Sequence, residues 1–363
     1  MRCGPAGILV ACVLALGPPG CGEGSADDDV REDDGGSETA PDAGPDAGPD
    51  DDGNPETTTE TADDGPGDDG TGPSPGAPLF ETSASYPVII AANGDPADVH
   101  YPAPPDLAPG AYAFPAAVLL QGAEVDKRYY AAYAARVARY GFIVIVPNHR
   151  SISMIGPGLY VEQSLPAEAL AQLRAENDDP DSPIHGVVDT GTLVLLGHSY
   201  GGVAGLNLIR DVCQPPACTG RYERPAELAG GVFHGTNLAT PMVGTVPDIL
   251  NQGLPLALVQ GTLDSKAAPD AAQATYDKIA DPPKALVRLA GANHYGVCDI
   301  DNPPGADPDG SRPTLEQAAA VETAARWTGV FLRARVLGDA EAADYLETLG
   351  DPADDNVEVE QQW

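Results

Sequence analysis

The chain has 363 residues, 42% of them hydrophobic, and 55 acidic side chains against 19 Lys and Arg give it a net charge of −36. That balance argues against nucleic acid as a partner and against direct docking of the surface on anionic membranes. The length and apolar share suffice for one domain with a full core.

The first 21 residues carry Arg2, an apolar run from Ile8 to Leu16, and Gly17-Pro18-Pro19-Gly20-Cys21. Nine apolar residues are too few to span a bilayer. The stretch resembles a short bacterial lipoprotein signal, with Cys21 as the lipidated first residue of an exported chain. Leu9-Val10-Ala11-Cys12 fits the cleavage box better but leaves almost no apolar core upstream of it. Plain secretion is the alternative, and membrane contact is expected only through such an anchor.

Residues 22–78 differ in kind. They hold 19 acidic residues against the single base Arg31, a net −18 and half of the whole charge. Their Pro-Asp-Ala-Gly repeat has too little apolar surface to offset its ordering entropy, so a disordered linker is expected. As a coil it would span on the order of 40 Å, more under self-repulsion. It reads as a spacer before a catalytic domain at 79–350, with an acidic C-terminal tail at 351–363.

Within the domain, short apolar runs end in small residues. Ala117 to Leu120 reads as a strand leading into Gln121-Gly122-Ala123, and Phe142 to Val146 as another, ahead of Pro147-Asn148-His149-Arg150. Thr192 to Leu196 is a third. It runs straight into Gly197-His198-Ser199-Tyr200-Gly201, followed by a helix-like stretch over Gly201 to Arg210. A serine at such a strand-to-helix turn is held in a strained backbone that aims its hydroxyl outward. Side chains two residues either side would collide with strand and helix, which favours glycine there. With 42 glycines in the chain the pentapeptide alone is weak, and the apolar run before it carries the weight. His198, inside the turn, is expected to point away from the serine.

Cys213 and Cys218 follow that helix, and in an oxidising compartment they are expected to close a small disulfide loop. Cys298 is the third cysteine of the domain, and a pairing of Cys298 with either of them is the alternative. Gly230 to His234 is a further strand. Only about twenty residues separate it from the next at Leu254 to Gly261, which leaves little room for a lid. Asp264 lies three residues beyond Gly261. A helix over Ala268 to Ile279, Pro282-Pro283 and a strand at Ala285 to Leu289 lead to Gly291-Ala292-Asn293-His294-Tyr295-Gly296. Asp299, Asp301, Asp307 and Asp309 then punctuate a loop faintly like a calcium loop, without its terminal Glu; no metal is expected. A long amphipathic helix is predicted over Thr314 to Arg335.

Ser199, Asp264 and His294 therefore stand in that order, each after a separate strand. A neutral imidazole can take the serine proton and return it to a leaving group, and a carboxylate can fix its tautomer. Asp189 precedes the nucleophile strand, and Asp299 and Asp301 follow the histidine too closely to come from another strand end.

Taken together, Leu-Leu-Gln-Gly, Phe-Ile-Val-Ile-Val-Pro-Asn-His-Arg, Gly-His-Ser-Tyr-Gly-Gly, Val-Gln-Gly-Thr-Leu-Asp and Gly-Ala-Asn-His-Tyr-Gly resemble the α/β-hydrolase superfamily. Within it the chain is similar to the lidless dienelactone-hydrolase-like, chlorophyllase-like and cutinase (polyester hydrolase) branch. The resemblance implies an α/β fold, a mostly parallel sheet flanked by helices. It implies a serine esterase with nucleophile Ser199, base His294 and acid Asp264, the backbone amides of Tyr200 and Ala123 as oxyanion donors, and no cofactor. Polyester hydrolases carry a tryptophan after the strand following the nucleophile helix, where this chain reads Val232-Phe233-His234-Gly235. The implied substrate is a carboxylic ester, small, bulky or polymer-like, and the protein a monomer. A C–C bond hydrolase or acyltransferase on the same fold, or an inactive surface-displayed binding protein, are the rival readings.

Overall fold

A computed structural model describes residues 76–153, 156–220, 222–240 and 244–363. The expected signal segment, Cys21 and nearly all of the acidic linker lie outside these residues. The described residues belong to one compact unit, built on a nine-stranded mixed sheet.

In chain order the strands are β1 (Ser83–Ile89), β2 (Pro96–Pro102), β3 (Phe114–Leu120), β4 (Ile143–Pro147), a separate hairpin of β5 (Ser151–Ser153) and β6 (Gly156–Gly158), then β7 (Val188–His198), β8 (Leu228–His234), β9 (Leu256–Gly261), β10 (Lys284–Leu289) and β11 (Val357–Gln362). The main sheet runs β1-β2-β4-β3-β7-β8-β9-β10-β11. The six strands from β4 to β10 are mutually parallel, and antiparallel pairs close both edges. The order turns back at β3, so that β4 lies on one side of it and β7 on the other. At such a point loops leave the carboxyl ends in opposite directions and open a crevice.

Parallel strands are covered on both faces and so read as unbroken apolar runs. Here alternate residues go to opposite sides. Ala117, Leu119, Val144, Val146, Val194 and Leu196 face a core shared with the long helix behind the sheet, while Ala116, Val118, Leu120, Ile143, Ile145 and Leu193 face the other side. Helices α1 (Ala131–Ala138), α2 (Leu165–Asp178), α3 (Tyr200–Ile209), α4 (Pro269–Asp277) and α5 (Gln317–Arg335) cover them. Each large aliphatic side chain so buried contributes about 1.5–3 kcal/mol.

Most element ends shift from the sequence-based expectation, and three boundaries shift for a physical reason visible in the structure. Helix α5 begins at Gln317 rather than Thr314, because the amides of Thr314 and Leu315 donate to the Gly291 carbonyl (2.8 and 3.0 Å) and the Glu316 carboxylate caps the helix by accepting from Ala319 N. Residues expected as an acidic tail instead supply β11, whose register runs from Lys284↔Gln362 to Leu289↔Val357; Arg288 of β10 reaches Glu360 at 3.1 Å and so draws the acidic strand in. The front boundary moves as well. Gly76 and Ala77, expected in the linker, accept hydrogen bonds from Tyr140 Oη (3.1 Å) and Arg333 Nη1 (3.0 Å) of the domain. The Cys213–Cys218 disulfide is present, and Cys298 is free and buried. Among the described residues no helix is long and apolar enough to cross a membrane.

Candidate active site

Strand β7 delivers Ser199 at the sheet's carboxyl edge, where the next residue opens α3. Ser199 has φ +52° and ψ −118°, a conformation that L-residues rarely adopt. The cost is held by what surrounds it. Its amide donates to the His234 carbonyl of β8 (2.9 Å), and its carbonyl accepts from Thr236 Oγ1 (2.9 Å). The glycine at 201 is forced by space: a Cβ there would stand 2.0 Å from the Leu120 carbonyl oxygen at the end of β3. At Gly197 a Cβ would meet Gly202 Cα at 3.0 Å. The first turn of α3 therefore lies directly against the backbone leaving β3.

That close approach places the two expected oxyanion donors. Leu120 and Gly197 are paired in register, and Ala123 and Tyr200 each lie three residues further along their strands' exits. The Tyr200 amide sits at the N-terminus of α3, where the helix dipole is positive. The Ala123 amide makes no hydrogen bond among the described residues, and its neighbour Glu124 is turned into positive φ (+58°) with its own amide on the Leu159 carbonyl (2.9 Å).

His294 leaves the loop after β10 and reaches across β9 and β8. Its Nε2 lies 2.9 Å from Ser199 Oγ and its Nδ1 2.9 Å from Asp264 Oδ2. Histidine and aspartate are buried, the serine half-buried. Asp264 is tied on every side. Oδ1 accepts the amides of Lys266 (2.9 Å) and Ala267 (2.7 Å), and Oδ2 accepts Gln260 Nε2 (3.1 Å) besides the imidazole. An acceptor-only carboxylate at Nδ1 requires N–H there, which leaves the Nε2 lone pair facing the serine hydroxyl. Gly235, at φ +51°, lies under this pair, where a Cβ would come within 3.1 Å of both Asp264 Oδ2 and His294 Nδ1.

Two supporting residues had no strong sequence signal. Gln260, the penultimate residue of β9, donates to Asp264 and to the Ala267 carbonyl (2.8 Å), bracing the loop that carries Asp264. Asp309 ties that loop to the one that carries His294: Oδ2 accepts the His294 amide (2.9 Å) and the Ser265 amide (3.3 Å), and Oδ1 accepts Ser311 N (2.8 Å) and the Ser265 hydroxyl. Burial by itself would raise the Asp309 carboxyl, but these hydrogen bonds prevail and lower it. A loop aspartate in a Pro/Asp/Gly run reads as punctuation, because its partners lie 15 and 44 residues away.

The other candidates are placed elsewhere. Asp189 sits near the start of β7, Asp299 accepts the Ala132 amide (3.0 Å), and Asp301 accepts Asn293 Nδ2 (2.8 Å). His149 is buried against Asp95 (2.5 Å). His198 makes no hydrogen bond to Ser199; it lies beneath His294 with ring centres 4.9 Å apart. His234 is held by Tyr133 Oη (2.8 Å), which in turn donates to Thr328 Oγ1 (3.1 Å). Among the described residues no group of three metal-ligating side chains converges. Behind His294 a cavity of about 20 Å³, lined by His234, Asn293 and Gly296, has room for a single water and none for a substrate.

Compared with models of known protein families the chain matches none, and no curated protein matches it at significance.

Proposed function

We propose that this protein is a carboxylic-ester hydrolase of α/β-hydrolase type, working through an acyl-enzyme on Ser199. The observation that carries the reading is the continuous line Asp264–His294–Ser199, with 2.9 Å at both contacts and the serine at a strained strand-to-helix turn. In this reading Ser199 Oγ attacks the ester carbonyl carbon while its proton passes to His294 Nε2. The amides of Tyr200 and Ala123 receive the developing oxyanion. Collapse breaks the bond to the alcohol oxygen, which takes the proton from His294. Water then gives a proton to His294 and attacks the acyl carbon. The acid leaves and the proton returns to Ser199. Asp264 fixes the tautomer throughout and stabilises the imidazolium without itself taking a proton.

The connection from His234 to Leu256 favours an ester group approached from solvent, since its described residues form no helix and pair only through the single bridge Ile249↔Ile279. Export fits the Cys213–Cys218 disulfide, which persists in oxidising compartments; anchoring through Cys21 is part of the same proposal. The reading is tested with p-nitrophenyl esters of graded acyl length and one polyester film. Folded Ser199→Ala should lose at least about 10³-fold in kcat on every ester the parent cleaves. Retained activity would overturn the assignment.

A further inference from the structure

The residue inside the serine turn is not idle. His198 is fully buried, and each of its ring nitrogens is engaged. Nδ1 lies 2.8 Å from Tyr130 Oη, and Nε2 lies 2.9 Å from the carbonyl oxygen of His294. Tyr130 Oη in turn receives the amide of Gly122 at 2.9 Å. The polarity of the whole chain follows from its two ends. A carbonyl can only accept, so Nε2 carries the proton and Nδ1 is an acceptor. An amide can only donate, so the phenol oxygen accepts from Gly122 and its own O–H goes to Nδ1. One buried line thus runs Gly122 N–H, Tyr130 O–H, His198 Nε2–H, His294 C=O.

Its ends are what matter. Gly122 adjoins Ala123, the oxyanion donor of the reading above, and His294 is the base. The line ties the exits of β3, β7 and β10 to one another through side chains that touch neither the serine hydroxyl nor the open side of the site. The sequence leaves room for it: a Cβ at Gly122 would lie 2.7 Å from His198 Nδ1. Burial, and next the neighbouring His294, hold His198 well below the ordinary histidine range. It therefore stays neutral while His294 carries a proton, and the polarity of the line survives the catalytic cycle.

We propose that Tyr130 and His198 are positioning residues that couple the oxyanion loop to the base loop, setting the Ala123 amide and the His294 imidazole relative to each other. The inference rests on the esterase reading. Because both groups act on the transition state, loss of the line lowers kcat and leaves KM nearly unchanged.

The experiment compares the parent with Tyr130→Phe, His198→Ala and His198→Gln, using p-nitrophenyl butyrate and a fluorophosphonate. The glutamine side chain keeps a donor for the His294 carbonyl and an acceptor, Oε1, for Tyr130, but lacks the rigid ring that holds both in place. The expected result is a kcat loss of about 10- to 100-fold in Tyr130→Phe and His198→Ala, KM within about twofold, and partial recovery in His198→Gln. Parent-like kcat in Tyr130→Phe and His198→Ala, or KM rising in step with a falling kcat, would overturn the coupling. A parent that neither hydrolyses the ester nor takes the label would instead sink the esterase reading, so the two failures are distinguishable. Should the variants not fold, nitrogen-15 histidine spectra of the parent decide: His198 protonated on Nε2 supports the line, and protonation on Nδ1 overturns it.

Discussion

At the residue scale, Asp264 and His294 have little freedom to move. The Asp264 carboxylate receives two backbone amides, one side-chain amide and one imidazole N–H. Replacing it with asparagine keeps the volume but puts an N–H donor where an acceptor is needed, and the imidazole then turns its lone pair toward position 264. Asp264→Asn should lower kcat on the order of 10³- to 10⁴-fold with little change in fold. Steady-state kinetics beside circular dichroism measures this, and a loss under tenfold would remove Asp264 from the acid role. Ser199, Asp264 and His294 were legible because each follows an apolar run that ends in small residues, so chain order and strand ends were enough to join them. Gln260, Asp309 and the Tyr130–His198 link were not. Their partners are fixed by how loops fold across strand ends, and nothing local in sequence records that Asp309 meets the His294 amide.

At the scale of elements, legibility follows burial. Strands β3, β4, β7, β9 and β10 are covered on both faces, so their apolar runs stand out, with boundaries displaced by one to three residues and an added upstream stretch in β7 beyond a register shift. The edge strand β11, Val357-Glu-Val-Glu-Gln-Gln, alternates with acidic residues and has an exposed face, so composition alone reads it as a tail. Its contribution can be measured. It supplies a six-residue ladder along β10, and just beyond it Trp363 lies under Arg335 at 3.8 Å and against Phe331. Truncation before Val357 should cost roughly 1–6 kcal/mol of stability and bare a strand edge that promotes association. Urea unfolding and size-exclusion chromatography test this. An equally stable monomeric truncate would show that the sheet is complete at β10.

At the scale of the whole molecule the charge divides in two, with half of the −36 in residues 22–78 and the rest over the domain. Solubility follows from that balance, while the domain's stability responds to pH through buried histidines. Burial lowers His100 to about 4 and His234 to about 3, and holds His198 well below its ordinary range. At pH 7 all three are neutral in the folded chain and mostly neutral in the unfolded one. Below about pH 6.5 the unfolded chain takes up protons that the folded one refuses until about pH 4, so the unfolded state binds more protons and stability falls as pH falls. Each histidine contributes a slope of up to about 1.4 kcal/mol per pH unit in that window. At fixed ionic strength the melting temperature should therefore drop steadily from pH 7 to pH 5. A flat or rising trend would mean that these side chains are not neutral in the fold.

If Ser199 is a nucleophile activated by His294, as proposed, the site of covalent capture shows it. The parent protein and a His294→Ala variant are treated with a fluorophosphonate, digested and weighed by mass spectrometry. A stoichiometric adduct is expected on the peptide containing Ser199, strongly slowed when His294 is removed. A parent chain that stays unmodified at Ser199, or is labelled there at the same rate without His294, would contradict it.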